Sequence, residues 1–160
     1  MNYCPICGSR IAFQTVELEG DIPYCAQCGK LFFPHNACCV IMLVNLDGQL
    51  LVIKQGYVND SYCLVAGHVK ASQTVEDTLI AELKEEVNLR LLSAQYVGSY
   101  YHAKSNHLML GFYVEAEGEI KINSEVDDFY LVDVQQATKM LAKASTARCL
   151  LDDAIKKGLI

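Results

Sequence analysis

The stretch "GHVKASQTVEDTLIAELKEEVNL", residues 67–89, decides how this chain is read. Its second half packs Glu82, Glu85 and Glu86 into little more than one helical turn. Like charges three and four residues apart repel on a helix. Thr74, with Asp77 three residues on, resembles a capping box with Asp in place of the usual Glu or Gln, and predicts a helix over 75–87. On a helical wheel Val75, Leu79, Ile80, Leu83 and Val87 form one apolar arc. The glutamates adjoin it, with Glu86 on its edge. A solvated acidic face would lie opposite the core. Carboxylates bordering the buried stripe suffer desolvation and mutual repulsion, which a divalent Mg²⁺ or Mn²⁺ relieves through oxygen ligands. The alternative is a solvated acidic helix end, although acidic groups near a helix C-terminus oppose its dipole.

On either side of this helix the pattern is that of strands. "ACCVIMLV" (37–44) is a continuous apolar run fit for burial on both faces, "NLDG" (45–48) a turn, and "QLLVIK" (49–54) the return strand. "GYVNDS" (56–61) reads as loop and "YCLVAG" (62–67) as a short strand. After the helix, "RLLSAQYVGSYYHA" and "HLMLGFYVEA" predict two long strands joined around Lys104, Ser105 and Asn106. "IKI" (120–122) and "FYLVDV" (129–134) predict further short strands. "QQATKMLAK" and "STARCLLDDAIKKG" carry helical periodicity. The second of these ends on lysines and glycine, as a helix C-terminus should. This order fits an α/β fold, a mixed sheet flanked by helices.

The first residues form a different unit. "CPICG" (4–8) and "CAQCG" (25–29) are repeated knuckles, with seventeen residues between Cys7 and Cys25. That spacing predicts Cys4, Cys7, Cys25 and Cys28 as a four-thiolate metal site. Tetrahedral thiolates suit structural Zn²⁺, with iron as the alternative. Between the knuckles the pattern is strand, a turn at Glu19–Asp21, and strand: a small zinc ribbon over residues 1–34, followed by a second domain over 35–160. About 34 residues cannot bury enough core to stand without the metal. Cys38, Cys39, Cys63 and Cys149 read as small buried hydrophobes.

With 160 residues, 52% hydrophobic and 20% charged, the chain can bury a full core. The net charge of −6 argues against tight binding to a nucleic-acid backbone. No apolar run approaches the ~20 residues that cross a membrane. The start lacks the regions of a signal peptide. A soluble, cytoplasmic protein is therefore expected.

Residues 67–89 resemble the signature of Nudix hydrolases: glycine, five residues, glutamate, seven residues, then Arg-Glu-apolar-any-Glu-Glu-any-Gly-apolar. Gly67 matches its opening, and Glu82, Leu83, Glu85, Glu86 and Leu89 match its second half. With the ribbon, the chain is similar to the NADH pyrophosphatase branch, whose "AGFVE"-like entry is echoed by "AGHVK". Four positions depart from the pattern. The family glutamate falls on Gln73, the arginine on Ala81 and the later glycine on Asn88, and Lys70 replaces an acidic residue. Loss of both an arginine and its glutamate leaves no buried charge unpaired, so the loop should be braced in another way.

The resemblance implies a Nudix-type α/β/α sandwich that cleaves a nucleoside diphosphate linked to another moiety, such as a dinucleotide, ADP-ribose or a nucleotide sugar. It implies that Glu82, Glu85 and Glu86 are catalytic and hold Mg²⁺ or Mn²⁺, with Glu125 as a further ligand and Asp128 second in line. Gly67, His68, Tyr100 and His102 are candidate substrate-binding residues, although tyrosines in strands are more often sheet packing. The element "SQPWPFPxS" of the NADH pyrophosphatase branch keeps only Ser99 here, so the X group stays open. The resemblance also allows a homodimer. The departures from the signature leave a second reading, a nucleotide-binding sensor that does not cleave.

Overall fold

The long apolar run beginning at Ala37 becomes the central strand because both of its faces can be covered. In the computed structural model, which describes residues 1–56 and 61–160, it is β4 (Ala37–Leu46). Side chains alternate across a strand. Val40, Met42, Val44 and Leu46 therefore point to one face, and Ile41 and Leu43 to the other. The first face is covered by α1 (Val75–Val87) through Leu79, Leu83 and Val87. The second is covered by α2 (Val134–Met140) and α3 (Thr146–Lys156) through Ala137, Leu150, Leu151 and Ala154. Each fully buried leucine contributes roughly 1.5–3 kcal/mol.

The chain divides into two compact units, Met1–Asn36 and Ala37–Ile160. In the first, β1 (Ala12–Val16), β2 (Gly20–Cys25) and β3 (Lys30–Leu31) form an antiparallel sheet in that order. The turn joining β1 and β2 lies at 17–19, earlier than the expected Glu19–Asp21. Val16 pairs with Gly20, whose φ of 80° lets it leave the turn as the first residue of β2.

In the second unit, β4 is joined by β5 (Gln49–Lys54), β6 (Tyr62–Cys63), β7 (Val65–His68), β8 (Arg90–His102), β9 (His107–Glu117) and β10 (Asp128–Val132). The sheet runs β10-β5-β4-β9-β8, and among the described residues only the β4–β9 pairing is parallel. Asp47 and Gly48, both at positive φ, make the tight turn into β5. β4 pairs with β5 only at Asn45 and Leu46. Toward its start β4 takes β7 instead, while β6 pairs with β5. The expected single strand 62–67 is thus two strands that change partner, and the two parent strands diverge around them. Most of the expected loop at 56–61 lies outside the described residues.

The expected strand at 120–122 does not form. Lys121 N donates to Val87 O at 3.1 Å and Asn123 N to Glu86 O at 3.2 Å, so this backbone satisfies the carbonyls at the end of α1. Asn88, where the family pattern has glycine, caps the helix at φ 58°. Asparagine tolerates that left-handed conformation. Its side chain accepts from Lys84 Nζ at 2.6 Å and donates to Glu119 O at 3.1 Å.

Candidate active site

The capping box fixes where α1 starts and therefore where its glutamates point. Thr74 Oγ1 accepts from Asp77 N, and Asp77 Oδ2 accepts from Thr74 N, both at 3.1 Å. The preceding loop is braced by Gln73, whose Oε1 accepts from Lys70 N at 3.3 Å and whose N donates to Lys70 O at 3.0 Å. The neutral Gln73 amide thus closes the loop on itself over residues 70–73.

The buried stripe of α1 differs from the apolar arc read off the wheel. Ile80 is 53% exposed, whereas Glu82 is 8% and Glu86 2% exposed. The helix turns its 78/82/86 row toward the sheet together with the 79/83/87 row. Thr78 meets burial by donating its hydroxyl to Thr74 O at 2.8 Å. The glutamates have no such local answer. Glu85 stays exposed, with Lys70 Nζ 3.9 Å from its Oε2.

Gly67 makes room for this arrangement. A Cβ there would lie 2.0 Å from Glu82 Cδ and 2.1 Å from Oε1. The backbone of β7 therefore serves as the wall against which the Glu82 carboxyl rests. Together Ala66, Gly67, His68, Lys70, Glu82, Glu85, Glu86 and Glu125 line a concavity of about 230 Å³. Glu125 reaches it from the loop before β10, where its N donates to Asn123 Oδ1 at 2.9 Å. Asp128 instead accepts from Tyr130 OH at 2.7 Å and lies outside the lining.

The electrostatics of this concavity are unresolved within the protein. Burial pushes the Glu86 carboxyl up to about 8, with Glu82 and Glu125 adding repulsion and a hydrogen bond from Gln55 pulling the other way. Glu82 is also raised, first by burial and then by Glu85, with Lys70 opposing. Among the described residues, Glu86 Oε2 is the buried side-chain oxygen with no hydrogen-bond partner. Buried polar atoms are nearly always satisfied. Clustered hard oxygens with an orphaned lone pair fit a divalent cation. Gln55, at 6% exposure just past β5, went unnoticed in the sequence. An isolated glutamine after a strand carries no pattern.

A second cavity of about 430 Å³ adjoins the first. It shares Ala66 and is lined mainly by apolar side chains, among them Ile41, Tyr62, Leu64 and Met109, with Gln55, His102 and His107 as polar members of its lining. His102 is held by its Nδ1···Ser105 Oγ contact of 2.7 Å. Tyr100 lines neither of these cavities. Its hydroxyl donates to Asp153 Oδ2 at 3.1 Å, and its ring occupies the space left by Gly111, where a Cβ would meet Tyr100 Cε2 at 2.8 Å. Tyr100 packs the sheet against α3, with one side on a separate cavity shared with His102.

The cysteine knuckles also converge. All four Sγ atoms lie within 4.8 Å of one another, with Cys4–Cys28 at 3.9 Å and Cys7–Cys25 at 3.6 Å. The edge of a tetrahedral thiolate cage is about 3.8 Å for metal–sulfur bonds near 2.3 Å. Gly8 and Gly29, at φ 73° and 64°, turn each knuckle so that its N donates to the carbonyl of Cys4 or Cys25. This group could hold a metal ion.

A family model for the NUDIX domain matches residues 33–153. The chain belongs to the NUDIX family. It is 31% identical over 154 residues to the NAD-capped RNA hydrolase NudC of Pseudomonas aeruginosa (strain LESB58), covering 94% of this chain and 54% of that protein. It is 25% identical to the NudC of Vibrio parahaemolyticus, covering 97% of this chain and 60% of that protein. The chain thus spans little more than half the length of such relatives. Its fold is that of NUDIX structures. A NUDIX hydrolase from Nitrosomonas europaea aligns with TM-score 0.82 and 16% identity, over 98% of this chain and 92% of that one. The NUDIX domain of Shewanella oneidensis NrtR, complexed with ADP ribose, aligns with TM-score 0.66 and 14% identity, over 84% and 93%. Among the described residues no helix is long and apolar enough to cross a membrane.

Proposed function

We propose that this NUDIX chain is a metal-dependent hydrolase of a nucleoside diphosphate linked to another moiety, cleaving its pyrophosphate. The carrying observation is the Glu86 carboxyl, buried beside Glu82 with one oxygen unpartnered. Relatives named for hydrolysis of NAD-capped RNA, and a fold relative complexed with ADP ribose, support a substrate of the dinucleotide or ADP-ribose kind.

In this reading Glu82, Glu85 and Glu86, with Glu125, would hold Mg²⁺ or Mn²⁺. Such ions neutralise phosphate oxygens and lower the pKa of water for in-line attack. Gly67 keeps the β7 backbone clear so that Glu82 stays aimed inward. Gln55 orients Glu86 by donating to it and leaves the other oxygen free. A glutamate with an elevated pKa is suited to move a proton near neutral pH. His68 lines the acidic concavity, which would take the phosphates, and His102 lines the apolar cavity, which would take a ring. Positioning supplies most of the acceleration in phosphoryl chemistry.

The reading divides the chain into a ribbon, 1–34, and a hydrolase domain, 35–160. Zn²⁺ is assigned to the four cysteines because a closed thiolate cage has a structural role. Reduced thiolates suit a cytoplasmic setting. A homodimer belongs to the same reading, and light scattering checks it.

The test is a screen of NAD⁺, NADH, ADP-ribose, nucleotide sugars and NAD-capped RNA with Mg²⁺ and with Mn²⁺, reading phosphate released after phosphatase coupling. Metal-stimulated turnover of at least one substrate is expected, and Glu86→Gln should reduce it by at least ~10²-fold. Nucleotide binding without turnover anywhere in the panel would favour the sensor reading, which the replacements at Gln73 and Ala81 support.

A further inference from the structure

We propose that Cys39, His68 and His107 form a third metal site, separate from the cysteine knuckles and bordering the acidic concavity through His68, suited to a borderline-soft divalent ion such as Zn²⁺. The three residues come from three adjacent strands. Cys39 lies directly opposite His68 in the β4–β7 register, and His107 begins β9 on the other side of β4. Their ligand atoms all lie within 4.8 Å of one another.

The geometry of the two imidazoles is the decisive detail. Their Nε2 atoms face each other at 3.4 Å, with the rings nearly perpendicular. Two nitrogens on one tetrahedral ion, at bonds of about 2.0–2.1 Å, stand about 3.3–3.4 Å apart. If both rings carry their protons on Nδ1, two lone pairs converge and need a cation between them. Cys39, 2% exposed, offers sulfur from below, while exposed His68 leaves a route in from solvent. One thiolate and two imidazoles select Zn²⁺ over Mg²⁺, whose ligands are hard oxygens. Three protein ligands leave a fourth position for water or a substrate oxygen. His68 lines the acidic concavity and His107 the apolar cavity, so an ion here would lie where the two adjoin. Loading releases the Cys39 thiol proton to solvent.

The competing arrangement is a metal-free His–His hydrogen bond, and the experiment separates the two. The full chain, with its knuckle thiols already metallated and Mg²⁺ in excess to occupy the carboxylates, is titrated with Co²⁺ and then with Zn²⁺. One further equivalent is expected, with a thiolate-to-cobalt charge-transfer band that carboxylate ligation cannot produce. Cys39→Ser should abolish that band. His107→Gln should weaken binding of the equivalent by at least ~10–100-fold, the loss seen when even outer-shell partners are disturbed. Cys38→Ser, whose side chain is on the opposite face of β4, should leave it unchanged. The proposal is overturned if the wild-type chain takes no further equivalent, or if both ligand variants bind it as tightly as wild type. Binding is read without turnover, so this result stands or falls independently of the hydrolase reading.

Discussion

Replacing Glu86 by glutamine should stabilise the protein without added metal while removing its turnover. In an unfolded chain this carboxyl titrates near 4.5, whereas in the fold it is pushed up to about 8. Below pH 4.5 it is protonated in both states, and burial does no electrostatic harm. Between those values the folded state holds the proton longer, so stability falls as pH rises, and the loss is complete above pH 8. The ceiling on that loss is on the order of 4–5 kcal/mol. Water penetration and an effective interior dielectric near 20 make about 2 kcal/mol a reasonable realised value. For a domain of this size that is about 5–10 °C in melting midpoint. Calorimetry from pH 5 to 9, on protein freed of Mg²⁺ but supplied with the Zn²⁺ proposed for its knuckles, should show Glu86→Gln melting progressively above wild type. Saturating Mg²⁺ should reverse the order, since binding at a hundred times Kd adds about 2.7 kcal/mol to wild type alone. Curves that run parallel across the pH range, or an equal gain from Mg²⁺ in both proteins, would refute the reasoning.

Gly67→Ala should push the Glu82 carboxyl out of its place, because the new Cβ would lie 2.0 Å from Cδ. Turnover should drop by ~10²-fold for a displacement of this kind, with a folded circular dichroism spectrum; wild-type rates would show that Glu82 does not act from there. Asn88→Ala should cost about 1–2 kcal/mol in urea unfolding, since alanine resists the left-handed φ of 58°. Asn88→Gly should lose less, and an equal loss in both variants would assign the effect to the amide's hydrogen bonds instead.

Features written in local chemistry were legible in the sequence. The start of α1 follows from Thr74 and Asp77, whereas its left-handed cap at Asn88 emerged only in the structure. The knuckles follow from cysteine spacing, and the β8–β9 hairpin from two long apolar strands around 104–106. Features set by tertiary register were not legible. The rotation of α1 that exposes Ile80 and buries Glu82 as well as Glu86 depends on Gly67 admitting Glu82, a contact between separate elements. The failed strand at 120–122 depends on the free carbonyls of α1. Gln55 gains meaning only from standing beside Glu86. The meeting of Cys39, His68 and His107 needs the pairings of three strands, which no periodicity encodes.

The segment that caps α1 has a consequence for how the family's chains can vary in length. Asn123 N is tied to Glu86 O and Asp127 N to Lys54 O, so the arc holding Glu125 is pinned to the glutamate helix at one end and to β5 at the other. Extra residues between those two pins would swing Glu125 away from its companions. Extra residues just after β9, around Gly118, could bulge outward while both pins hold. Length changes compatible with a working carboxylate cluster should therefore gather before Lys121, making the spacing from 121 to 127 a diagnostic that can be read without a structure.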